Sequence, residues 1–395
     1  MNRLKTWPII AILVATPALA QQNAPEGSAT GADIIVTAIP LKDAKALLQT
    51  CLAQRCPPDR DINASLVVAE AQFVDGDYKA ARATLVQSVS RNKRHAQAYP
   101  VAVSGLLRAN ARVAAHLGDS QAYFSGALDV VSALKKGLPE SDTRVLDGQL
   151  ELGDAFAKTD RIDAAIDQYY RVARRARSLA LPMVEGNALY RVALLNAAVS
   201  RLRGDEYFQA ALQASDRLIG TTDPALAPFA NAAKLLKAQL TIPRGNAAAA
   251  DQLIEKFGEL GRGRTAAVLL YAPKIEQPEL SGREFGDGET ITKLAVDDVD
   301  NQWVDIGFQI TSAGTVGEAE VLRISPKANG HWIKPILVSI AGRRYAPLAT
   351  DSPSAMRVER YTFTASWTTV TGSRLRVRSP IPRIEMVDLT RDTGL

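Results

Sequence analysis

Cysteine and histidine are scarce. The 395-residue chain carries two Cys, three His and four Met, and only 6% of it is aromatic. That leaves little material for a His/Cys metal centre. His95, His116 and His331 also lie singly and far apart, with no cysteine near any of them. Long apolar runs are lacking: after the first twenty residues, no segment could span roughly 30 Å of hydrocarbon without charges. A net charge of +5 is too small for its length to indicate a nucleic-acid binder. Catalytic signatures are missing too. There is no Gly-x-Ser-x-Gly elbow and no phosphate-loop Gly-Lys-Ser/Thr, and Gly261-Arg262-Gly263 lacks the preceding strand that a dinucleotide loop needs. What is plentiful is ordinary globular material, 47% hydrophobic and 23% charged, at a length that suggests two or three domains.

The first twenty residues read as a cleavable leader. Arg3 and Lys5 form a short positive region, residues 9–15 an apolar core, and Ala18-Leu19-Ala20 a small-residue cleavage pattern, with Gln21 the expected mature start. Cleavage would lower the charge from +5 to +3, because the leader holds Arg3 and Lys5 and no acid. The expectation is a periplasmic protein, with association at the outer membrane left open and no transmembrane segment after cleavage. An oxidising compartment favours pairing of Cys51 with Cys56. Residues 44–53 read as helix, and Pro57-Pro58 stop it, so the helix must end near Arg55 for the two thiols to meet. A staple over so small a loop contributes roughly 2 kcal/mol in the chain-entropy picture. The redox alternative asks for Cys-x-x-Cys, and this is Cys-x4-Cys.

Residues 41–272 are rich in Ala and Leu, with apolar positions three and four apart. Helical runs are separated at Gly76-Asp77-Tyr78, Gly118-Asp119-Ser120, Asp160-Arg161-Ile162, Gly204-Asp205-Glu206 and Gly245-Asn246-Ala247, at intervals of 42, 42, 44 and 41 residues. Such a period means stacked helical hairpins. The residues around the breaks carry a resemblance to the tetratricopeptide repeat family. Ala81 and Leu85 follow the first break in step; Leu152-Gly153, Phe156, Ile162, Ala165 and Tyr169 match around the third, and Ala250 and Ile254 after the fifth. The second and fourth units slip by one residue, to Ala122 and Ala210, and the period exceeds the family's. The resemblance implies an all-α solenoid with a concave binding face, for which Asn63, Gln149 and Asn187 are polar candidates. Arg171, Arg174, Arg175 and Arg177 form a basic cluster, either a solvated helix face or a site for an acidic peptide.

After a linker at 273–300 the period changes to two. Val304, Ile306, Phe308 and Ile310 alternate with Asp305, Gly307 and Gln309, as in a half-buried strand. A second strand is expected at 315–324, a helix at 332–341 with Pro335 in its first turn, a long strand at 357–368, and two short strands at 374–378 and 383–388. The order of elements, with Val304 to Ile310, Gly314-Thr315-Val316, Val321-Leu322, Arg343-Arg344-Tyr345-Ala346-Pro347 and Tyr361-Thr362-Phe363, resembles the C-terminal domain of the TonB energy transducers. That family's membrane anchor and Pro-rich spacer are replaced here by a leader and helical repeats, so the resemblance implies protein binding without energy transduction. Asp33-Ile34-Ile35-Val36-Thr37-Ala38 resembles the short TonB box of outer-membrane receptors, a segment able to add to a sheet edge; packing on the first repeat is the simpler reading. Arg374, Arg376 and Arg378 share one face of a strand, where they either deter sheet-to-sheet association or meet an anionic partner.

These readings combine into one expectation: a multidomain chain with leader (1–20), N-terminal segment (21–40), TPR-like all-α solenoid (41–272), linker (273–300) and small TonB C-terminal-like α+β domain (301–395). It would be a non-enzymatic scaffold that binds protein or peptide partners in the cell envelope, with no cofactor and no nucleic acid. A divergent TonB-type component engaging outer-membrane receptors and a cell-envelope enzyme are the rivals.

Overall fold

A computed structural model describes residues 39–242, 246–261, 267–275, 299–328, 330–348, 355–369 and 375–390. The expected leader (1–20), residues 33–38, Arg374 and the stretch 276–298 of the expected linker lie outside the described residues. A helical region is followed by a smaller α+β region, as the change of period requires. Among the described residues eleven helices come first: α1 (Leu41–Ala53), α2 (Pro58–Val74), α3 (Tyr78–Asn92), α4 (Pro100–His116), α5 (Ser120–Gly137), α6 (Thr143–Lys158), α7 (Ile162–Ser178), α8 (Pro182–Arg203), α9 (Asp205–Ile219), α10 (Ala227–Thr241) and α11 (Ala247–Phe257). Four of the five sequence breaks sit between paired helices, each with a left-handed residue: Gly76 at φ 82°, Gly118 at 74°, Asp160 at 64° and Gly204 at 100°. The fifth, Gly245, is outside the described residues. A helix closed by an αL residue satisfies its last carbonyls and redirects the chain; Gly76 N–H bonds Phe73 O and Asp77 N–H bonds Gln72 O in this way.

The chain divides into two compact units. One holds the described residues up to 115 and residues 121–152; the other holds 116–120 and everything described from 153 onward. In the first unit, α2 and α3 enclose a buried polar knot. Asp61 accepts from Arg91 Nε at 2.8 Å and from Asn92 Nδ2 at 2.8 Å. Burial would raise the Asp61 carboxyl, but these donors outweigh it and hold the group below its ordinary value. Phe73 stacks on Tyr78 across the break at 4.8 Å. Farther on, a Cβ on Gly126 would sit 2.7 Å from the Ala111 Cβ. Gly126, rather than half-buried Ala122, is therefore the small residue that lets α4 and α5 approach.

In the second unit, Gly153 of α6 faces the Tyr169 ring, and Gly186 of α8 faces the Phe229 ring; an added Cβ would lie 2.4 Å and 2.1 Å from ring carbons. Small residues here make room for aromatic knobs. Ala165 and Ala250 are buried, and in the fourth hairpin it is Ala211, not Ala210, that is fully enclosed.

The α+β region belongs to this second unit. Its elements are β1 (Leu269–Tyr271), β2 (Gln302–Ile310), β3 (Val316–Ile324), α12 (Gly330–Ala341), β4 (Arg344–Tyr345), β5 (Met356–Thr369) and β6 (Arg376–Asp388). The main sheet is antiparallel in the order β3-β2-β5-β6, while β1 and β4 form a separate ribbon. That ribbon packs near α10 and α11 through Leu235, Leu253, Phe257, Leu270 and Ala346. Helix α12 covers one face of the main sheet; Trp332 stacks on Phe363 at 5.4 Å and donates to Gln302 Oε1 at 2.8 Å. It starts at Gly330, so Pro335 lies in the second turn rather than the first.

Two strand expectations change. β2 is buried on both faces, not one: Asp305 forms a fully enclosed pair with Arg360, Nε–Oδ1 2.6 Å and Nη2–Oδ2 2.9 Å, and the guanidinium lies 4.1 Å from the Trp303 ring. The two short strands at the end are one, β6, which runs through Pro380 and Pro382. An edge strand tolerates prolines, and the register shifts between Ala365 and Trp367 to absorb the extra residues.

Candidate functional site

The arginine cluster of α7 divides by helical geometry. Ile162, Ala165, Tyr169, Val172, Ala173 and Ala176 form the buried face. Tyr170, Arg174 and Arg177, spaced four and three apart, form one stripe beside it, and Arg171 and Arg175 form another. The first stripe borders a cleft of about 300 Å³ between α7, α8, α9 and the turn at 224–226. Ala173, Val192, Ala214, Leu218 and Leu226 make the cleft apolar below. Arg174, Arg177 and Arg217 surround it above, and all three are exposed. Arg177 is tied to buried Glu185, Nε–Oε1 2.8 Å and Nη2–Oε1 2.5 Å. Arg174 and Arg217 form no ion pair or hydrogen bond among the described residues. Arg171 stands outside the cleft and donates to Gln168 Oε1 at 2.8 Å; Arg175 is exposed and also outside it.

The other candidates lie elsewhere. Cys51 and Cys56 are bonded, with Cα atoms 5.1 Å apart. Asn63 is exposed, Gln149 half-buried, and Asn187 is buried and accepts from Arg191 Nε at 3.2 Å. Arg376 is exposed and reaches Asp119 at 3.3 Å. Arg378 turns inward: it lies 4.0 Å from the Trp367 ring, donates to Leu117 O at 2.8 Å and Ala365 O at 2.7 Å, and pairs with Asp300. The arginines of β6 therefore do not act as one row.

Around Arg378 the turn at 116–120 meets the second face of the sheet. Trp367 N–H donates to Gly118 O at 3.1 Å, Arg383 Nη1 to Ser120 Oγ at 2.9 Å, and His116 Nδ1 lies 2.8 Å from Thr362 Oγ1. Lys158 pairs with Glu385. Burial pushes His116 down to about 3, against the pull of Glu385. Burial alone would raise Glu385, but Lys158, Arg383 and His116 bring it to about 2. These groups bond to one another across the turn and the sheet, so they read as a structural seam.

No family model matches this chain, and no curated protein does either. Among the described residues no helix is long and apolar enough to cross a membrane, and no group of three His, Cys, Asp or Glu could hold a metal ion.

The sheet supplies the second candidate surface. β3 is an outer strand and is mostly exposed, with Val321, Leu322 and Ile324 each at least 40% accessible. Sequence reading missed its openness, because its apolar positions look like core. It also missed Arg217, which lies more than one hairpin helix away from the cluster it joins. The helical spacing of Tyr170, Arg174 and Arg177 was the only available signal for the cleft.

Proposed function

We propose that the chain is a non-enzymatic interaction protein of the cell envelope, exported to the periplasm, in which a TPR-like solenoid and a TonB-like domain each hold a protein partner. One observation carries the reading: the two outer strands of the main sheet are unlike. β6 holds Pro380 and Pro382, which remove two donors; β3, whose pairing with β2 shifts register twice, has no proline and exposes three apolar side chains. Proteins guard the edges they do not use. An outer strand that lacks proline and exposes apolar side chains suits strand addition, where backbone bonds give affinity and side-chain pockets give specificity. Glu318 and Glu320 on the same strand would favour an incoming strand with cationic residues opposite them.

Residues 33–38 are one candidate strand, in cis or in trans. The test is a photo-crosslinking amino acid placed at Leu322 in the full chain, expressed in a cell envelope, with the same probe at exposed Val338 of α12 as the control. A discrete adduct from Leu322 alone is expected. Identical adducts from both positions, or none from Leu322, would remove the support for this reading.

A further inference from the structure

The cleft on α7–α9 differs from the expected binding face. Its basic stripe comes from the second helices of two successive hairpins, α7 and α9, with α8 beneath. We propose that it binds an acidic segment of a partner protein, with an apolar side chain against Val192, Ala214 and Leu218 and carboxylates on Arg174 and Arg217. The proposal rests on the interaction reading above but uses a different element from the β3 edge.

Three features argue for this occupant. Among the described residues the Arg174 and Arg217 guanidinia have no protein partner, so a carboxylate could form charge-assisted, fork-like bonds there without displacing an internal one. The third, Arg177, already shares Glu185 and shows that a carboxylate fits this stripe. A cleft of about 300 Å³ is at the small end for ligand sites, enough for one or two side chains and too small for a lipid's acyl chains. The excess of two positive charges over the apolar surface matches a short segment in which acidic and apolar residues alternate.

The probe is a fluorescein-labelled decapeptide of alternating glutamate and leucine, titrated against the full chain by fluorescence anisotropy. Saturable binding that weakens with added salt is expected. Serine in place of leucine should weaken binding roughly tenfold or more, since the apolar contact with the cleft is lost. Arg174→Glu with Arg217→Glu should reduce affinity at least tenfold, while Arg171→Glu, the same charge change outside the cleft, should alter it less than twofold. Arg174→Gln with Arg217→Gln provides the same comparison without charge reversal, and circular dichroism checks that each variant is folded. Equal losses from Arg171→Glu, unchanged binding in both double variants, or equal binding of a lysine/leucine decapeptide would overturn the proposal. So would binding to phosphatidylglycerol vesicles through these arginines with no binding of the peptide. Failure here leaves the Leu322 adduct intact, and loss of that adduct leaves the titration intact, so the two readings fail separately.

Discussion

Gly118 does two things at once. Its φ of 74° is left-handed, and a Cβ there would lie 2.1 Å from the Ala365 carbonyl oxygen. Gly204 has only the first constraint, with φ 100°, ψ −165° and nothing within 4 Å of an added Cβ. Gly204→Ala should therefore cost about 1–3 kcal/mol for backbone strain. Gly118→Ala should cost at least about 1–3 kcal/mol more, because the turn must also retreat from β5; urea unfolding of the two variants measures the difference. His116 makes a pH-dependent contribution. Its folded pKa is about 3, below its unfolded value of about 6.5, so the unfolded chain takes up a proton first as pH falls. Stability should drop by roughly 2 kcal/mol between pH 7 and pH 5 from this group alone, and Glu385 adds to the loss only below its unfolded value of about 4.3. Glu385, Lys158, Arg360 and Arg383 all face the imidazole. His116→Gln should flatten the melting-temperature profile over that range; an unchanged slope would mean another group is responsible.

At the scale of elements, α1 shows how a sequence break becomes a structure. Arg55 has φ 50°, its N–H bonds Leu52 O at 3.1 Å, and Cys56 N–H bonds Cys51 O at 3.0 Å. This is a Schellman ending, and the disulfide joins the two positions that usually make a hydrophobic contact in that motif. Cys51→Ser with Cys56→Ser should lower stability by about 2 kcal/mol and increase hydrogen exchange at the end of α1, read by mass spectrometry. The helix stop was legible from Pro57-Pro58, and the chain reversals from their near-constant spacing, though not the left-handed backbone at them. β2 was only half legible. Alternating Asp305 and Gly307 with apolar residues says that one face is wet, yet Asp305 is enclosed because Arg360, placed 55 residues later, neutralises it. A period-two pattern records polarity, and burial of a paired charge leaves no separate mark in it. The same limit hid β3: Val321, Leu322 and Ile324 have core chemistry in an exposed place.

The whole molecule repeats one device. Chain reversals at Gly76, Gly118, Asp160 and Gly204 all use left-handed backbone, and so does Ala180 at φ 54° before α8. Asp160 is supported by Arg203, whose Nη2 lies 2.6 Å from its carboxylate. Ala180 has a Cβ in a region that disfavours one and no polar side chain to compensate. Ala180→Gly should raise stability by up to about 1 kcal/mol, measured as a higher melting temperature. The division into a helical and a sheet-bearing region was legible because the period of the apolar positions changes. That Arg174 and Arg217 line one cleft was not, since only tertiary packing brings α7 and α9 together. The contrast between β3 and β6 also limits how copies of this chain could join. Head-to-tail pairing of β3 with β6 would extend without end, as in a filament, and the prolines of β6 oppose it. Joining β3 to β3 across a two-fold axis uses both open edges and leaves none for a third copy. Any self-association through this sheet should stop at two, and sedimentation at rising concentration should show a dimer boundary rather than a growing series.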